Sequence, residues 1–123
     1  MIKIDVRLNN AYNWEKDDGD YFIGHIYYKD KFYYNSDALN LIKSKVDNIQ
    51  EFLKEIDGRF TFVLELKEKI VIASDRLRVF PIFYSIENDN DIIITDDIMS
   101  YSNKKLNEEG IEEIDSMRMC YII

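Results

Sequence analysis

The chain has 123 residues, enough for one domain with a two-layer core and short for two domains. It has 24 Asp and Glu against 16 Lys and Arg, and the net charge of −8 argues against nucleic acid as a partner, because phosphate binding needs clustered cations. One Cys and one His exclude an internal disulfide and a Cys/His zinc site, and no stretch approaches the roughly 20 apolar residues of a membrane span.

The N-terminal residues alternate between apolar and polar, which predicts a half-buried strand over residues 2–8. Residues 9–20 are polar and contain the breaks NN and DDGD, so we predict a loop there. Trp14 is the only large anchor in this loop. Stacking on a ligand is one role for Trp14, but packing is favoured because a buried Trp chiefly supplies apolar area.

Residues 21–28 and 31–34 predict a β-hairpin that turns at Lys29-Asp30. Both strands are dense in aromatic residues, mostly Tyr, and this density predicts cross-strand aromatic pairs.

Two helices are predicted next. Ser36-Asp37 is an N-cap candidate for the first helix, and Asp47 is one for the second, shorter helix. Apolar residues recur at helical spacing in both, at Ala38, Leu39, Leu41, Ile42 and Val46 in the first and at Ile49, Phe52, Leu53 and Ile56 in the second. We expect the two helices to cover one face of the sheet.

Four consecutive strands follow, over residues 59–66, 70–74, 80–86 and 92–95, and we expect them to form an antiparallel sheet. In the first of them one face is wholly apolar and the other is partly so. A strand of this kind needs a covering layer.

The C-terminal quarter predicts two more helices. Thr95-Asp96-Asp97 begins one that runs through residue 101, and Asn107-Glu108-Glu109 caps another that runs to about residue 117. The tail, residues 117–123, is unusually apolar for a terminus. We expect it either to contact a partner or to add a final strand to the domain's own sheet.

Three segments also carry a resemblance. They read Gly58-Arg59-Phe60-Thr61-Phe62, Ser74-Asp75-Arg76-Leu77-Arg78-Val79-Phe80-Pro81-Ile82-Phe83-Tyr84, and Thr95-Asp96-Asp97. In order and spacing they resemble the N-terminal glutaminase domain of asparagine synthetases, which are N-terminal-nucleophile amidotransferases. That family has Gly-x-Phe-Ala-Phe, then Arg-Asp-x-x-Gly-x-x-Pro-Leu-Tyr-Tyr, then Ser-Glu. The chain departs from the pattern at Ser74, where Arg is common, and at Arg78, where Gly stands.

The resemblance covers residues 21–97 and implies an α+β fold. That fold would have one or more antiparallel sheet layers with helices packed on one face, as in part of the αββα amidotransferase fold. The chain would be a single shortened domain over residues 1–123.

The resemblance also implies two vestigial substrate-binding residues. The family's Asn-Gly-Glu-Ile-Tyr-Asn corresponds to the stretch starting at Ile23-Gly24, so Gly24 carries over, but an Ile side chain cannot donate a hydrogen bond to an oxyanion. The family's Ser-Asp-x-Glu corresponds to Ser36-Asp37, and its Asp binds the α-amino group of glutamine. Capping and the helix dipole account for Asp37 without a ligand and are favoured.

No catalytic residue is predicted. The family uses a Cys at position one whose own α-amine acts as base, whereas Met1 is followed here by Ile2. The family's Arg-containing segment, which holds the glutamine carboxylate, has no counterpart either. Cys120 is a poor substitute because it lies in an apolar run far in sequence from His25, and a buried Cys is usually inert.

We therefore expect a catalytically inactive domain that acts as scaffold or recognition module beside an ATP-dependent amide-forming synthetase or cyclase. The partner would be such a domain or a second copy, bound through the tail at residues 117–123, which leads into the synthetase domain in family members. We expect a cytoplasmic location, because the N-terminal residues lack a signal peptide's apolar core, and no cofactor. Two alternatives stay open: an active amidotransferase subunit with rearranged machinery, and a stand-alone small-molecule-binding module that uses the aromatic hairpin.

Overall fold

The computed structural model describes residues 3–9, 12–67, 69–77, 79–87, 91–97, 112–113 and 120–122. Within these residues the strands are β1 (Lys3–Arg7), β2 (Glu15–Asp17), β3 (Asp20–Tyr28), β4 (Lys31–Tyr34), β5 (Asp57–Glu65), β6 (Ile70–Ser74), β7 (Phe83–Glu87), β8 (Asp91–Thr95), β9 (Glu112–Glu113) and β10 (Cys120–Ile122). The helices are α1 (Asn35–Lys43), a 3-10 turn (Val46–Asn48) and α2 (Ile49–Glu55). No described helix has the length and apolarity needed to cross a membrane.

The described strands form two sheets rather than one. The first has the order β10-β6-β5-β3-β2, with β4 also paired to β3, and all of its pairs are antiparallel. The second has the order β1-β8-β7-β9, in which β1 and β8 run parallel. The expectation that β5, β6, β7 and β8 form one sheet is therefore wrong. After β6 the chain crosses to the other sheet, and we call residues 75–77 and 79–82 the crossover segment.

The first sheet is covered by the helices on one face. Phe60, Phe62 and Leu64 of β5 lie in a core cluster with inward residues of both helices. From α1 and α2 this cluster includes Ala38, Leu39, Ile42, Ile49, Phe52 and Leu53. The predicted covering layer and its inward positions are confirmed.

The second sheet covers the opposite face. Val63 of β5 and Ile72 of β6 lie in a second cluster with Tyr84 of β7 and Ile94 of β8. β5 and β6 are therefore buried on both faces, because helices lie on one side and a sheet on the other. The α+β class, with helices on one face of the first sheet, is confirmed.

Two hairpins begin the first sheet. The predicted hairpin of β3 and β4 is confirmed, and Lys29 and Asp30 both have positive φ, at 48° and 64°, as its tight turn requires. The predicted loop over residues 9–20 is wrong in its second half. β2 and β3 pair there, and Asp18 and Gly19, with φ of 47° and 86°, form the two-residue turn between them. DDGD is a hairpin turn, not a loop.

Neither predicted helix cap is present. α1 begins at Asn35, whose φ is +51°, and Asp37 is the third residue of its first turn, with no side-chain capping bond at the preceding Tyr34. The strand turns directly into the helix, which places the start before Ser36. Asp47 lies inside the 3-10 turn, and α2 has Asn48 at its cap position, again without a side-chain bond.

Few of the predictions for the C-terminal quarter concern residues that the structure describes. The helix predicted through residue 101 lies outside the described residues beyond Asp97. The helix predicted over residues 107–117 is wrong at Glu112–Glu113, which form β9 and pair with Phe83 and Tyr84 of β7; the rest lies outside the described residues. In the tail, β10 pairs antiparallel with β6, so the backbone of these three residues adds a final strand to the domain's own sheet.

Candidate ligand pocket

One cavity of about 370 Å³ lies where β3, the crossover segment and the end of β8 meet. Its walls are mostly apolar and aromatic, and two carboxylates complete them. The lining residues are Tyr12, Trp14, Ile23, Val79, Phe80, Pro81, Phe83, Asp96 and Asp97. Its volume lies within the range of small-molecule sites, which are typically about 300–1,000 Å³.

The apolar wall is positioned by a contact between the crossover segment and the first sheet. Thr61 of β5 is buried, and its hydroxyl donates a hydrogen bond of 2.5 Å to the backbone carbonyl of Phe80. Thr61 is also the register partner of Ile23 on β3. This bond therefore holds Phe80 close to Ile23, and both line the cavity.

Asp96 holds in place the part of the cavity wall that Trp14 forms. Its carboxylate accepts hydrogen bonds from the backbone N–H of Asn9, at 2.9 Å, and from the indole N–H of Trp14, at 3.0 Å. Trp14 is partly buried and packs against the core between the two sheets, so it supplies packing as predicted and a cavity wall as well. The Asp97 N–H, at 3.0 Å, donates to the Thr95 hydroxyl, which fixes the backbone that carries both carboxylates.

The charged residues that the structure describes in the cavity lining have one sign. Among its described lining residues the only ionisable side chains near neutral pH are Asp96 and Asp97, and no Lys or Arg is present. The two carboxylates therefore create a negative potential beside aromatic rings. A site of this character favours a cation over an anion.

The two residues that the family resemblance singled out lie in different places. Gly24 follows the pocket residue Ile23 on β3, and its φ is +105°. A Cβ atom there would lie 1.9 Å from the carbonyl oxygen of Arg59, so close strand pairing requires glycine whether or not a ligand binds. Asp37 is exposed in the first turn of α1 and is not among the residues that line the cavity.

The described cavity lining lacks the residue types that amide hydrolysis commonly uses as nucleophile or base. Its residues include no Cys, Ser, Thr, His or Lys. The backbone of Cys120 pairs with Ala73 in the first sheet. His25 belongs to the aromatic hairpin, where its ring lies 5.8 Å from Tyr34 and 6.0 Å from Phe32 between centroids.

The aromatic hairpin presents a second notable surface. The predicted cross-strand pairs are confirmed, the closest being Tyr27 with Phe32 at 4.7 Å between ring centroids. Phe32 and Tyr34 are each 54% exposed. These side chains form an exposed surface, and none of them is among the residues that line the cavity.

The cavity was not predicted, because its lining residues come from four separate segments: Tyr12 and Trp14, Ile23, residues 79–83, and Asp96-Asp97. A usable signal was present nevertheless. Ile23, Pro81 and Asp96 all belong to segments that were compared with family motifs, and all three line the cavity.

Comparison of the chain with protein-family models, with curated proteins and with solved structures found no match.

Proposed function

We propose that this chain is a catalytically inactive relative of the glutaminase domain of asparagine synthetase-like proteins. In this proposal it acts as a recognition module for an ATP-dependent amide-forming partner, and its cavity binds a ligand without transforming it.

One observation carries the proposal. Ile23, Phe80-Pro81 and Asp96-Asp97 lie in three separate stretches that were aligned with motifs of the family, and they line one cavity together. Such convergence is expected if the segments derive from a common binding site. Function is then inferred from the site's chemistry rather than from the fold alone.

The chemistry of the cavity supports binding over catalysis. Covalent glutamine hydrolysis needs a nucleophile within hydrogen-bond reach of a base, and donors that stabilise the oxyanion. The described lining residues include no Cys, Ser or Thr to serve as that nucleophile, and Ile23 has no polar side chain. The aromatic walls and the two carboxylates retain the means to hold a small molecule.

The first experiment measures glutamate release from glutamine by the purified chain. We expect no turnover above a blank. Turnover that disappears in Cys120→Ala would overturn the proposal, whereas turnover that is unchanged in this variant would show contamination.

The second experiment tests the recognition role. The chain is mixed with a purified ATP-dependent ligase domain of the asparagine synthetase type, and amide formation from ammonia is measured with and without the chain. We expect the rate or KM of the ligase to change, and glutamine not to replace ammonia. A ligase that is indifferent to the chain at saturating concentration would contradict the role.

A further inference from the structure

The cavity combines two features that together select a class of ligand. Its carboxylates, Asp96 and Asp97, are of one sign, and its aromatic side chains include Trp14, Phe80 and Phe83. Cations are attracted both by carboxylates and by the faces of aromatic rings. Anions are repelled by both.

The Asp96 carboxylate has the capacity to accept another donor. A carboxylate offers about four lone-pair positions, and the described contacts of Asp96 use one on each oxygen, for Asn9 and Trp14. The same two bonds hold the carboxylate and the indole rigidly relative to each other. A bound cation therefore meets a site whose geometry is already fixed, and this lowers the entropic cost of binding.

The apolar wall of the cavity determines the second property that the ligand needs. Ile23 is 7% exposed and Phe80 is held over β5 by the Thr61 hydroxyl, so this side of the cavity offers a fixed hydrophobic surface. A bare metal ion or a small hydrated cation gains nothing from such a surface. A cationic head with an apolar body gains from both parts of the cavity.

We propose that the cavity binds a small organic ammonium ion with an aromatic or aliphatic body. This inference rests on the proposed function, in which the cavity binds rather than reacts. The apolar body packs against Ile23, Phe80 and Phe83, and the ammonium group lies between the carboxylates and the rings. The volume of about 370 Å³ lies in the range of small-molecule sites, so the proposal commits to a free small molecule.

Trp14 provides a direct readout because it is the only tryptophan in the chain and lines the cavity. Its fluorescence is titrated with three probes that share a phenylethyl body: phenethylammonium, neutral 2-phenylethanol and anionic 3-phenylpropionate. We expect the cation to bind about tenfold more tightly than the alcohol, and the carboxylate more weakly than the alcohol. Raising the salt concentration should reduce the preference for the cation.

Two variants test whether the charge of the cavity lining determines which ligand binds. Asp97→Asn removes one negative charge, and Val79→Lys adds a cation at a residue that is 47% exposed and lines the cavity. Both should reduce phenethylammonium affinity by about fivefold or more and leave the alcohol nearly unchanged. Asp37→Asn is the matched control, because it removes the same charge outside the cavity and should alter neither affinity.

Amide chemical-shift mapping and circular dichroism of each variant accompany the titrations. Equal binding of all three probes would overturn the ammonium assignment while leaving the recognition role intact. Absence of shifts at Ile23 and Trp14 with every probe would overturn the ligand site. Glutaminase turnover that disappears in Cys120→Ala, by contrast, would overturn the proposed function whichever probe binds.

Discussion

At the scale of single residues, two glycines of the first sheet have different reasons for being glycine. Both Gly19 and Gly24 have positive φ. An added Cβ at Gly24 would meet the backbone carbonyl of Arg59 at 1.9 Å, whereas at Gly19 it would meet the flexible carboxylate end of Glu65 at 2.8 Å. Backbone in a paired strand cannot move away, but a side-chain end can.

We therefore predict that Gly24→Ala lowers the free energy of unfolding by about 3 kcal/mol or more, because strain and strand separation add. Gly19→Ala should cost only about 1–2 kcal/mol, the ordinary penalty for a left-handed residue with a Cβ. Urea denaturation measures both. Equal losses would show that close strand approach contributes nothing at Gly24.

Asp37 shows that the type of a residue near a helix start does not fix its position within the helix. An Asp near a predicted helix start is usually an N-cap, whose loss costs about 1 kcal/mol. Here it lies within the first turn and makes no capping bond, so only its favourable interaction with the helix dipole remains. This is why Asp37→Asn serves as a mild control for the cavity variants.

At the scale of elements, the crossover segment depends on a buried carboxylate. Asp75 is 5% exposed and accepts hydrogen bonds of 2.9 Å from the backbone N–H groups of Phe60 and Leu77. Its own N–H donates to the Phe60 carbonyl at 2.9 Å. These bonds anchor the point at which the chain leaves the first sheet.

We predict that Asp75→Ala destabilises the fold by about 2–3 kcal/mol, because it leaves the buried Phe60 N–H without its acceptor. Asp75→Asn retains one acceptor oxygen and should cost about 1 kcal/mol. Chemical denaturation compares them, with the exposed Asp47→Ala as control, which should stay within about 0.5 kcal/mol. If alanine and asparagine cost the same, the carboxylate bonds are not what anchors the crossover.

An ion-pair cluster joins α1 to the hairpin of β2 and β3. Lys43 lies 2.6 Å from the Asp17 carboxylate and 3.2 Å from that of Asp20. The hydrogen bond to Asp17, helped by that to Asp20 and opposed by partial desolvation, raises the pKa of Lys43 above its ordinary 10.5. Because the folded-state pKa is the higher one, the stabilisation is fully present below the unfolded-state pKa. It is lost as pH rises through the folded-state pKa.

We predict that Lys43→Met lowers the unfolding free energy by about 0.5 kcal/mol at pH 7, a small value because the site is partly exposed. The difference between wild type and variant should persist to about pH 10 and vanish above the folded-state pKa. Denaturation at a series of pH values gives this difference directly. A difference that grows with pH would contradict the assigned role.

At the scale of the whole molecule, the tail has an intramolecular partner. The backbone of β10 pairs with β6 over three register positions, and β6 is buried along its full length. Deleting residues 120–123 should therefore remove backbone hydrogen bonds at the edge of the core and lower stability by about 3 kcal/mol.

Light scattering and thermal unfolding of the truncated chain separate the two expected roles of the tail. A clear fall in melting temperature in a protein that is monomeric throughout supports the strand role. Loss of self-association with unchanged melting would instead show that the tail forms an interface between copies.

The aromatic hairpin and the apolar faces of the two helices follow from the sequence alone, whereas β2, the helix starts and β9 do not. The aromatic hairpin turns at Lys29-Asp30 as predicted, and the inward positions of α1 and α2 match their apolar spacing. Such patterns are predictable because side-chain direction depends on the backbone period of one element. The partly apolar second face of β5 was visible in the sequence too, but the prediction of one covering layer left out the second sheet, which buries Val63.

The tertiary structure alone decided the number of sheets and the location of the cavity. The parallel pairing of β1 with β8 joins residues almost ninety positions apart, as at Lys3 and Asp91, and no local period encodes such a partner. The bond between Trp14 and Asp96 likewise spans 82 positions. Thr95-Asp96-Asp97 was predicted to begin a helix, because these residue types are common at helix caps. In the structure the Asp96 carboxylate instead accepts a hydrogen bond from the Trp14 indole, which only the tertiary fold places beside it. Long-range closure of this kind depends on the packing of both sheets together, so it lies beyond what a single segment can specify.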